Sequence, residues 1–466
     1  MAEKMKDIIV LLPGITGSEL VKDGKVVWGW SGRALVRNIF SAGGDFVDKL
    51  WVKEDSPTAE TLDDGVTASR LLPDLHVLPG IWKIDGYSAV SESIKSSFEV
   101  VEGQNFFPFP YDWRRDNRSS ARTLKRRTDE WLAKWRSSKP ERKGAKLILV
   151  AHSMGGLVSR YFLELLEGWR DTKALITFGT PYRGSVNAID GIANGIKEMG
   201  IFDLTKLARR LNSLHQLLPV YDCIDTGEGP LKKVTETGLP NAELPRIKAA
   251  HDFHEEIRIA VDKHQEDPVY RSSGYRIYPI IGHRQPTNQS ARLEGAGVKI
   301  LKEIRGEDFM GDGTVPRPSA VPREQTDAAL GMFAATKHGS LQNDEAVLSH
   351  LLGVITGLDL DLGAFRKPME RTPPTEVSLQ LADLYRVGDK IEIGARPTVP
   401  GVELVAKFES IDSGAPQKDV IMRPGREGWQ LAEFPSKTAG AYRVTIVGQK
   451  PKVTPAADTF EIISSK

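Results

Sequence analysis

Ser153 occupies a position where a serine could act as a nucleophile. The segment AHSMG around it lies between an apolar run, Lys146–Val150, and a helical pattern, Leu157–Leu166. A strand–turn–helix element of this kind, the nucleophile elbow, holds the serine in a strained turn and requires small residues two positions before and two after it. Ala151 and Gly155 meet that requirement. The segment therefore predicts a reactive hydroxyl at Ser153.

A serine nucleophile needs a base, and the base needs a carboxylate to orient it. In folds built on this elbow the chain order is Ser, then Asp, then His. Asp312 follows in the segment GDGT, where flanking glycines allow a turn to present one carboxylate inward. His338 follows in TKHGSL, directly after a predicted strand. The order predicts a triad in which His338 is the base and Asp312 orients it.

The tetrahedral intermediate of such a reaction needs backbone N–H donors for its oxyanion. One donor is expected from the residue after the nucleophile, Met154, and the other from the loop after an early strand. Asp7–Leu12 is predicted to be that strand, and the segment PGIT follows it. The N–H of Ile15 is our choice for the second donor.

Other residues could fill these roles. His350 lies in an apolar helical segment, His152 points away from an elbow, and His283 ends a strand, so we interpret all three as structural. Asp190 and Asp225 are alternative acids. A loose histidine-rich cluster lacks the H-E-x-x-H spacing of a helical metal site, so no metal and no cofactor are predicted. The cluster comprises His251, His254, Glu255 and His264.

The elements around these residues form a strand–helix–strand series. Because the strands are continuously apolar, the series predicts a parallel sheet covered on both faces. The expected strands and helices are Asp7–Leu12, Thr123–Trp135, Lys146–Val150, Leu157–Leu166, Ala174–Phe178, Tyr275–Ile281, Gly331–Thr336 and Asp344–Ile355.

Two segments interrupt this series. The first, from Trp28 to Trp113, is rich in aromatic residues and includes Trp30, which suggests a chain folded over something rather than a linker. The second, Ile189–Leu218, is an amphipathic stretch that carries Leu204 and Leu207. Two interpretations stay open for these four side chains: contact with an acyl chain or a membrane, and packing of a lid and cap.

Composition narrows the class of protein. The 466 residues predict two or three domains. A formal net charge of +1 argues against nucleic-acid binding through bulk charge. The single cysteine, Cys223, excludes an intramolecular disulfide. The chain shows no signal-peptide pattern at its start and no apolar run of about 18 residues, so we expect a cytoplasmic protein.

The pattern changes near the C-terminus. Residues 366–376 are polar and contain proline, which predicts a linker. Beyond it, short alternating strands separated by turn signals predict a small, immunoglobulin-like antiparallel β-sandwich over 377–466.

Taken in order, the motifs resemble those of the lecithin:cholesterol acyltransferase family, which includes lysosomal phospholipase A. They are LLPGITGSEL, DGV, PYDWR, AHSMGG, GTPYRGS, SLHQLLP, GDGTVP and the final His338. The resemblance implies an α/β-hydrolase over 1–365, with a lid excursion at about 21–105 and a cap at about 185–270. It puts Ser153, Asp312 and His338 at the family's triad positions and Ile15 at its oxyanion loop. Because the animal members use disulfides and a signal peptide, we expect an intracellular, bacterial-type member.

These observations predict a serine carboxylic-ester hydrolase of lipase or phospholipase A type, acting on acyl lipids through an acyl-enzyme. Two alternatives stay open. One is a lipid acyltransferase that uses the same triad. The other is a partner-regulated effector whose protein partner docks on 377–466. The expected partners are an acyl-lipid or ester substrate and, peripherally, a membrane surface, but no nucleic acid.

Overall fold

The computed structural model describes residues 2–29, 49–52, 55–62, 64–73, 76–78, 82–198, 202–325, 331–358, 375–417, 419–435, 437–448 and 453–464. Trp30 and all but the last two residues of the predicted linker 366–376 lie outside them. Among the helices within these ranges, none combines the length and apolar character needed to cross a bilayer.

The elements of the first 178 residues follow one another in this order: β1 (Ile8–Leu12), β2 (Ser18–Lys22), β3 (Lys25–Trp28), β4 (Val66–Leu71), β5 (His76–Leu78), β6 (Trp82–Ile84), α1 (Ser88–Ser97), β7 (Phe106–Pro108), α2 (Asn117–Ser138), β8 (Leu147–His152), α3 (Met154–Leu165) and β9 (Thr172–Phe178).

The next part comprises α4 (Val186–Ala193), β10 (Lys197–Glu198), β11 (Phe202–Asp203), α5 (Thr205–Ala208), α6 (Asn212–His215), β12 (Ile224–Asp225), α7 (Val234–Thr237), α8 (Leu244–His264), α9 (Pro268–Ser273), β13 (Arg276–Gly282), β14 (Ser290–Glu294), β15 (Gly297–Leu301), β16 (Met332–Ala334) and α10 (Glu345–Gly357). Short 3-10 turns lie at Pro140–Arg142, Gly168–Asp171, Arg317–Ala320 and His338–Asn343.

A six-stranded parallel sheet in the order β16-β13-β9-β8-β1-β7 forms the centre of this part. Alternate side chains of β1 fall into two separate buried clusters: Ile8 and Val10 join one, and Ile9 and Leu11 join the other. Helices α2 and α3 contribute to the first cluster, and α1 and α10 contribute to the second. Apolar residues therefore cover both faces of the sheet, as the continuously apolar strands predict.

The amphipathic stretch Ile189–Leu218 is divided into several short elements and is not one continuous helix. It begins in α4, passes through the short strands β10 and β11, and ends in the single-turn helices α5 and α6. Gly195 has φ of +87° and lies where the first helix has ended. A β-carbon added at that position would lie 2.5 Å from Thr205 Oγ1. Glycine therefore allows both the positive φ and the close approach at this turn.

The C-terminal part comprises β17 (Val377–Gln380), β18 (Leu384–Arg386), β19 (Lys390–Pro397), β20 (Leu404–Ser410), β21 (Val420–Ile421), β22 (Arg423–Pro424), β23 (Gln430–Pro435), β24 (Gly440–Gly448) and β25 (Ala456–Ile463). They form two sheets, β17-β19-β23-β22 and β18-β25-β24-β20-β21, and side chains from both share one buried cluster. All the strand pairs are antiparallel except β18 with β25, which are parallel. The strands Leu384–Arg386 and Ala456–Ile463 were not anticipated from the sequence.

Candidate active site

Ser153 lies in the turn between β8 and α3, with φ of 51° and ψ of −123°. A positive φ is strained for a residue with a side chain, and such strain is concentrated at functional sites. Its neighbours enforce the turn: a β-carbon added to Gly155 would lie 2.5 Å from the carbonyl oxygen of Pro13. The requirement for a small residue two positions after the serine therefore has a direct steric cause.

The structure brings Ser153, His338 and Asp312 together. His338 Nε2 lies 2.9 Å from Ser153 Oγ, and His338 Nδ1 lies 2.7 Å from Asp312 Oδ2. All three residues are buried. Because a carboxylate only accepts hydrogen bonds, Nδ1 carries the proton and Nε2 presents its lone pair to the serine hydroxyl. In this arrangement His338 can take the proton from Ser153.

The carboxylate of Asp312 is held in a fixed orientation. Its Oδ1 accepts hydrogen bonds from the backbone N–H groups of Thr314 (2.9 Å) and Val315 (2.7 Å), which leaves Oδ2 for His338. A β-carbon added to Gly179 would lie 2.7 Å from that Oδ2. The backbone N–H of His338 also donates to the carbonyl oxygen of Asp312, at 2.9 Å. Acid and base are thus joined through both side chains and backbone.

The loop after β1 lies directly against the nucleophile. A β-carbon on Gly14 would lie 2.9 Å from the β-carbon of Ser153, so only glycine allows this approach. The next residue is Ile15, and Met154 is the first residue of α3. Within the described part of the chain, the N–H groups of Ile15 and Met154 donate to no protein acceptor. They are therefore free to receive a negatively charged oxygen.

His152 is not a base but part of a second hydrogen-bond chain. Its Nε2 lies 3.1 Å from the carbonyl oxygen of His338 and therefore carries a proton. Burial lowers the pKa of His152 well below its usual range, so the ring is neutral. Its Nδ1 accordingly accepts from the Tyr87 hydroxyl (2.9 Å), which in turn accepts from the Gly14 N–H (2.8 Å). Sequence reasoning missed Tyr87, which lies in the aromatic excursion without a motif of its own.

Tyr87→Phe is expected to lower kcat for an ester substrate about tenfold with little change in KM. The phenyl ring fills the same space but leaves the Gly14 N–H and His152 Nδ1 unpaired, and one buried hydrogen bond of this kind corresponds to about 1–3 kcal/mol. Steady-state kinetics with a p-nitrophenyl ester would measure the effect. A Tyr385→Phe variant, altered in the C-terminal part, serves as the matched control. Equal kcat for Tyr87→Phe and the control would contradict this role.

The remaining candidates from the sequence lie elsewhere. His283 pairs with Glu376 at 3.1 Å, and His254 Nε2 donates to the carbonyl oxygen of Gln216 at 2.7 Å. Asp190 and Asp225 bond Asn194 and Arg292 rather than an imidazole. His350 lies on α10, and partial burial lowers its pKa. Across the described ranges, no three His, Cys, Asp or Glu side chains are grouped to hold a metal ion.

A narrow apolar cavity begins at the Ile15 loop. Three of the predicted substrate or lid residues, Trp28, Leu204 and Leu207, line it, whereas Trp30 lies outside the described residues. Its volume is about 20 Å³. The Trp28 Nε1–H donates to the carbonyl oxygen of Thr16 at 2.8 Å, which fixes the indole at the cavity wall. The other lining residues are Leu50, Trp113, Ala208, Leu211 and Leu214.

Comparison with known proteins agrees with this architecture. The family model described as lecithin:cholesterol acyltransferase matches residues 82–249, a range that includes Ser153 but neither Asp312 nor His338. A solved structure titled the Tle4–Tli4 complex contains a similar chain, with a TM-score of 0.52 and 14% identity over 77% of this chain and 99% of that one. The sheet, the elbow and this likeness define an α/β-hydrolase fold.

Two relatives place the chain more closely. It is 28% identical over 231 residues to lecithin-cholesterol acyltransferase-like 4 of Arabidopsis thaliana, covering 45% of this chain and 40% of that protein. It is 24% identical over 276 residues to the human lysosomal phospholipase A and acyltransferase, covering 55% of this chain and 63% of that protein. The chain thus spans less than two-thirds of these curated relatives. With the family match, they confirm its resemblance to the lecithin:cholesterol acyltransferase family.

Proposed function

We propose that this protein is a serine carboxylic-ester hydrolase that acts on acyl lipids. The observation that carries the proposal is the continuous hydrogen-bond chain from Ser153 Oγ through His338 to Asp312, which ends at a serine in a strained elbow. The N–H groups of Met154 and Ile15, which donate to no acceptor among the described residues, would supply the two donors that a developing oxyanion needs. No cofactor or metal enters the reaction proposed.

The reaction has two halves. Ser153 Oγ attacks the ester carbonyl while His338 Nε2 takes its proton, and the tetrahedral oxyanion accepts hydrogen bonds from Met154 and Ile15. The C–O bond to the leaving alcohol then breaks, and His338 gives that alcohol the proton. Water next attacks the acyl-enzyme with His338 again as base, and the acid is released as Ser153 regains its proton. Asp312 holds the imidazole throughout.

The apolar cavity supports an acyl chain as the part of the substrate that is recognised. Ile15 of the candidate oxyanion loop lines it, and the other lining side chains are apolar apart from Thr16. At about 20 Å³ the cavity is smaller than an alkyl chain, so its walls would have to separate before substrate enters. The named activities of the human relative, phospholipase A and acyltransferase, point to the same substrate class.

Leu207→Trp is expected to shift the preference of the enzyme towards short acyl chains. The larger ring would fill the cavity, and each methylene denied burial corresponds to about 0.8 kcal/mol. The ratio of kcat/KM for p-nitrophenyl laurate to that for p-nitrophenyl butyrate should fall about tenfold or more. Leu351→Ala, on α10 below the opposite face of the sheet, is the control, since it perturbs the core without touching the cavity. An unchanged ratio for Leu207→Trp would show that acyl chains bind elsewhere.

Transfer of the acyl group to a lipid alcohol is the second candidate function. The human relative carries both activities in its name, and the same acyl-enzyme serves both. Hydrolysis and transfer differ in whether water or an alcohol attacks the carbonyl carbon of the acyl-enzyme. Phosphatidylcholine liposomes with and without added long-chain alcohol would decide the outcome. Free fatty acid alone indicates a hydrolase, and a new ester that depends on the alcohol indicates a transferase.

A test of the substrate class follows directly. Mixed phospholipid liposomes and a soluble short-chain ester would be offered to the protein in parallel, with Ser153→Ala as the blank. Release of fatty acid from the liposomes would support the lipid assignment. Turnover of the soluble ester alone would reduce the proposal to a general esterase.

The proposal also includes the location of the protein and the fold of its C-terminal part. The protein acts on the membrane surface from the cytoplasm. The paired C-terminal sheets form an immunoglobulin-like sandwich.

A further inference from the structure

The C-terminal sheets contact the turn that carries the base. We call His338–Asn343 the base turn and Gly311–Val315 the acid loop. Strand β25 packs against the base turn. Just before the turn, Lys337 Nζ lies 3.7 Å from the carboxylate of Asp458 in β25. A part of the chain that forms its own hydrophobic core therefore lies next to the imidazole of the triad.

Asp85 and Gly86 hold the base turn from the other side. The Asp85 N–H donates to the carbonyl oxygen of Gly339 (2.8 Å), and Asn343 Nδ2 donates to the carbonyl oxygen of Asp85 (2.6 Å). Gln342 Nε2 donates to the carbonyl oxygen of Gly86 at 2.9 Å. The position of the base turn thus depends on the position of Asp85.

Arg443 in β24 fixes Asp85. Its Nη2 lies 2.7 Å from Asp85 Oδ1 and 2.6 Å from Oδ2. The Asp85 side chain is only 3% exposed, whereas that of Arg443 is 33% exposed. Removing the Arg443 guanidinium would take a charged partner from a buried carboxylate, which is unfavourable, so the backbone at Asp85 would shift towards water. The ion pair connects the C-terminal sheets to the base turn through one residue.

The acid loop is held by the same part of the chain. Gln285 is fully buried, and its backbone exchanges hydrogen bonds with Gly311 at 3.0 and 3.3 Å. Its side-chain Oε1 accepts from the Leu379 N–H in β17 at 2.9 Å, and its Nε2 donates to the carbonyl oxygen of Ala335 at 2.7 Å. Glu376, directly before β17, pairs with His283 and Arg284. Strand β17 is therefore hydrogen-bonded to Gln285, the residue whose backbone pairs with the acid loop.

We propose that the C-terminal sheets act as an internal clamp that holds Asp312 and His338 in register with Ser153, with Arg443 and Asp85 as positioning residues. The inference rests on the proposed function, because the position of Asp312 and His338 relative to Ser153 affects activity only if these residues act as a triad. It assigns this region a role within the chain itself, where sequence analysis offered only an external docking role. A displacement of about 1 Å at a reacting group can cost about 10²-fold in rate, so modest loosening suffices.

The test uses full-length Arg443→Ala, Asp85→Asn, their double variant, Arg443→Lys and the control Lys390→Ala. Lys390 pairs with Glu433 on the exposed side of the same C-terminal region, away from the base turn. Two kinds of measurement are made: steady-state kinetics, which give kcat and KM for p-nitrophenyl butyrate, and hydrogen exchange at the Asp85, His338 and Ser340 amides. Hydrogen exchange requires no turnover, so an inactive wild type would refute the proposed function and leave the clamp testable.

Arg443→Ala and Asp85→Asn should each lower kcat about ten- to 100-fold with KM within about twofold, and should speed exchange at the three amides. The double variant should lose no more than either single variant, Arg443→Lys should recover part of kcat, and Lys390→Ala should match wild type. Wild-type kcat and exchange in both single variants would overturn the proposal. Losses of kcat that are fully explained by a smaller folded fraction of the protein would also overturn it. If Arg443→Ala fails to fold, Asp85→Asn and Arg443→Lys give the same comparison.

Discussion

Ser153→Ala is expected to reduce kcat for a p-nitrophenyl ester by roughly 10⁴- to 10⁶-fold, the range found when a triad nucleophile is removed from a serine hydrolase. The hydroxyl is the atom that becomes covalently bound to the acyl group, and no neighbouring group can replace it. His152 is neutral and its two ring nitrogens are already engaged by Tyr87 and the backbone of His338. KM should change little, because the alanine leaves the apolar cavity intact.

The matched control for that prediction is Ser137→Ala. Ser137 lies at the exposed end of α2, so removing its hydroxyl changes the composition in the same way without touching the site. Its kcat should equal that of wild type. Ser153→Ala retaining more than about 1% of wild-type kcat would contradict the assignment, since the oxyanion donors alone leave only a small residual rate.

Asp312→Asn is expected to lower kcat by about 10⁴-fold while the fold is retained. The reason is the direction of one hydrogen bond. Thr314 and Val315 donate to Oδ1, so the carbonyl oxygen of the asparagine must take that place. Its NH₂ group then faces His338 Nδ1 and donates to it, which moves the imidazole proton to Nε2. A protonated Nε2 cannot accept the proton of Ser153.

Asp225→Asn is the control for the acid. Asp225 in β12 pairs with Arg292 in β14, and its substitution removes one charge at a contact that involves no triad residue. Steady-state kinetics and thermal unfolding of both variants would separate chemistry from stability. Comparable kcat values for Asp312→Asn and Asp225→Asn, with both proteins folded, would refute the tautomer argument and with it the role of Asp312.

The sequence predicted that Ser153, Asp312 and His338 lie together because the segments around them reflect local geometry. A serine between an apolar strand and a helix needs small neighbours, and glycines beside an aspartate allow a turn, so AHSMG and GDGT both carry their steric reasons in the sequence. Gly14 is another case, since its contact with Ser153 excludes any side chain. Five of the six strands of the central sheet, all except β7, were predicted within one or two residues for a related reason: a strand buried on both faces must be apolar throughout.

What the sequence does not reveal depends on contacts between distant segments. Tyr87 joins the loop after β1 to His152, which lies 65 residues further along the chain, and nothing near Tyr87 in sequence signals that partner. Arg443 and Asp85 are separated by 358 residues, and either could have been an ordinary surface charge. The stretch Ile189–Leu218 has helical spacing, but the turn at Gly195 interrupts it. Periodicity alone did not identify that interruption.

Covalent trapping would identify the nucleophile directly. Wild type and Ser153→Ala would be incubated with a fluorophosphonate that carries an alkyl chain, and the modified residue would be located by peptide mass spectrometry. We expect one adduct per wild-type chain, on Ser153, formed much more slowly in Asp312→Asn and absent from Ser153→Ala. An adduct on another residue, or an unmodified Ser153 in folded wild type that hydrolyses esters, would contradict the assignment of Ser153 as the nucleophile.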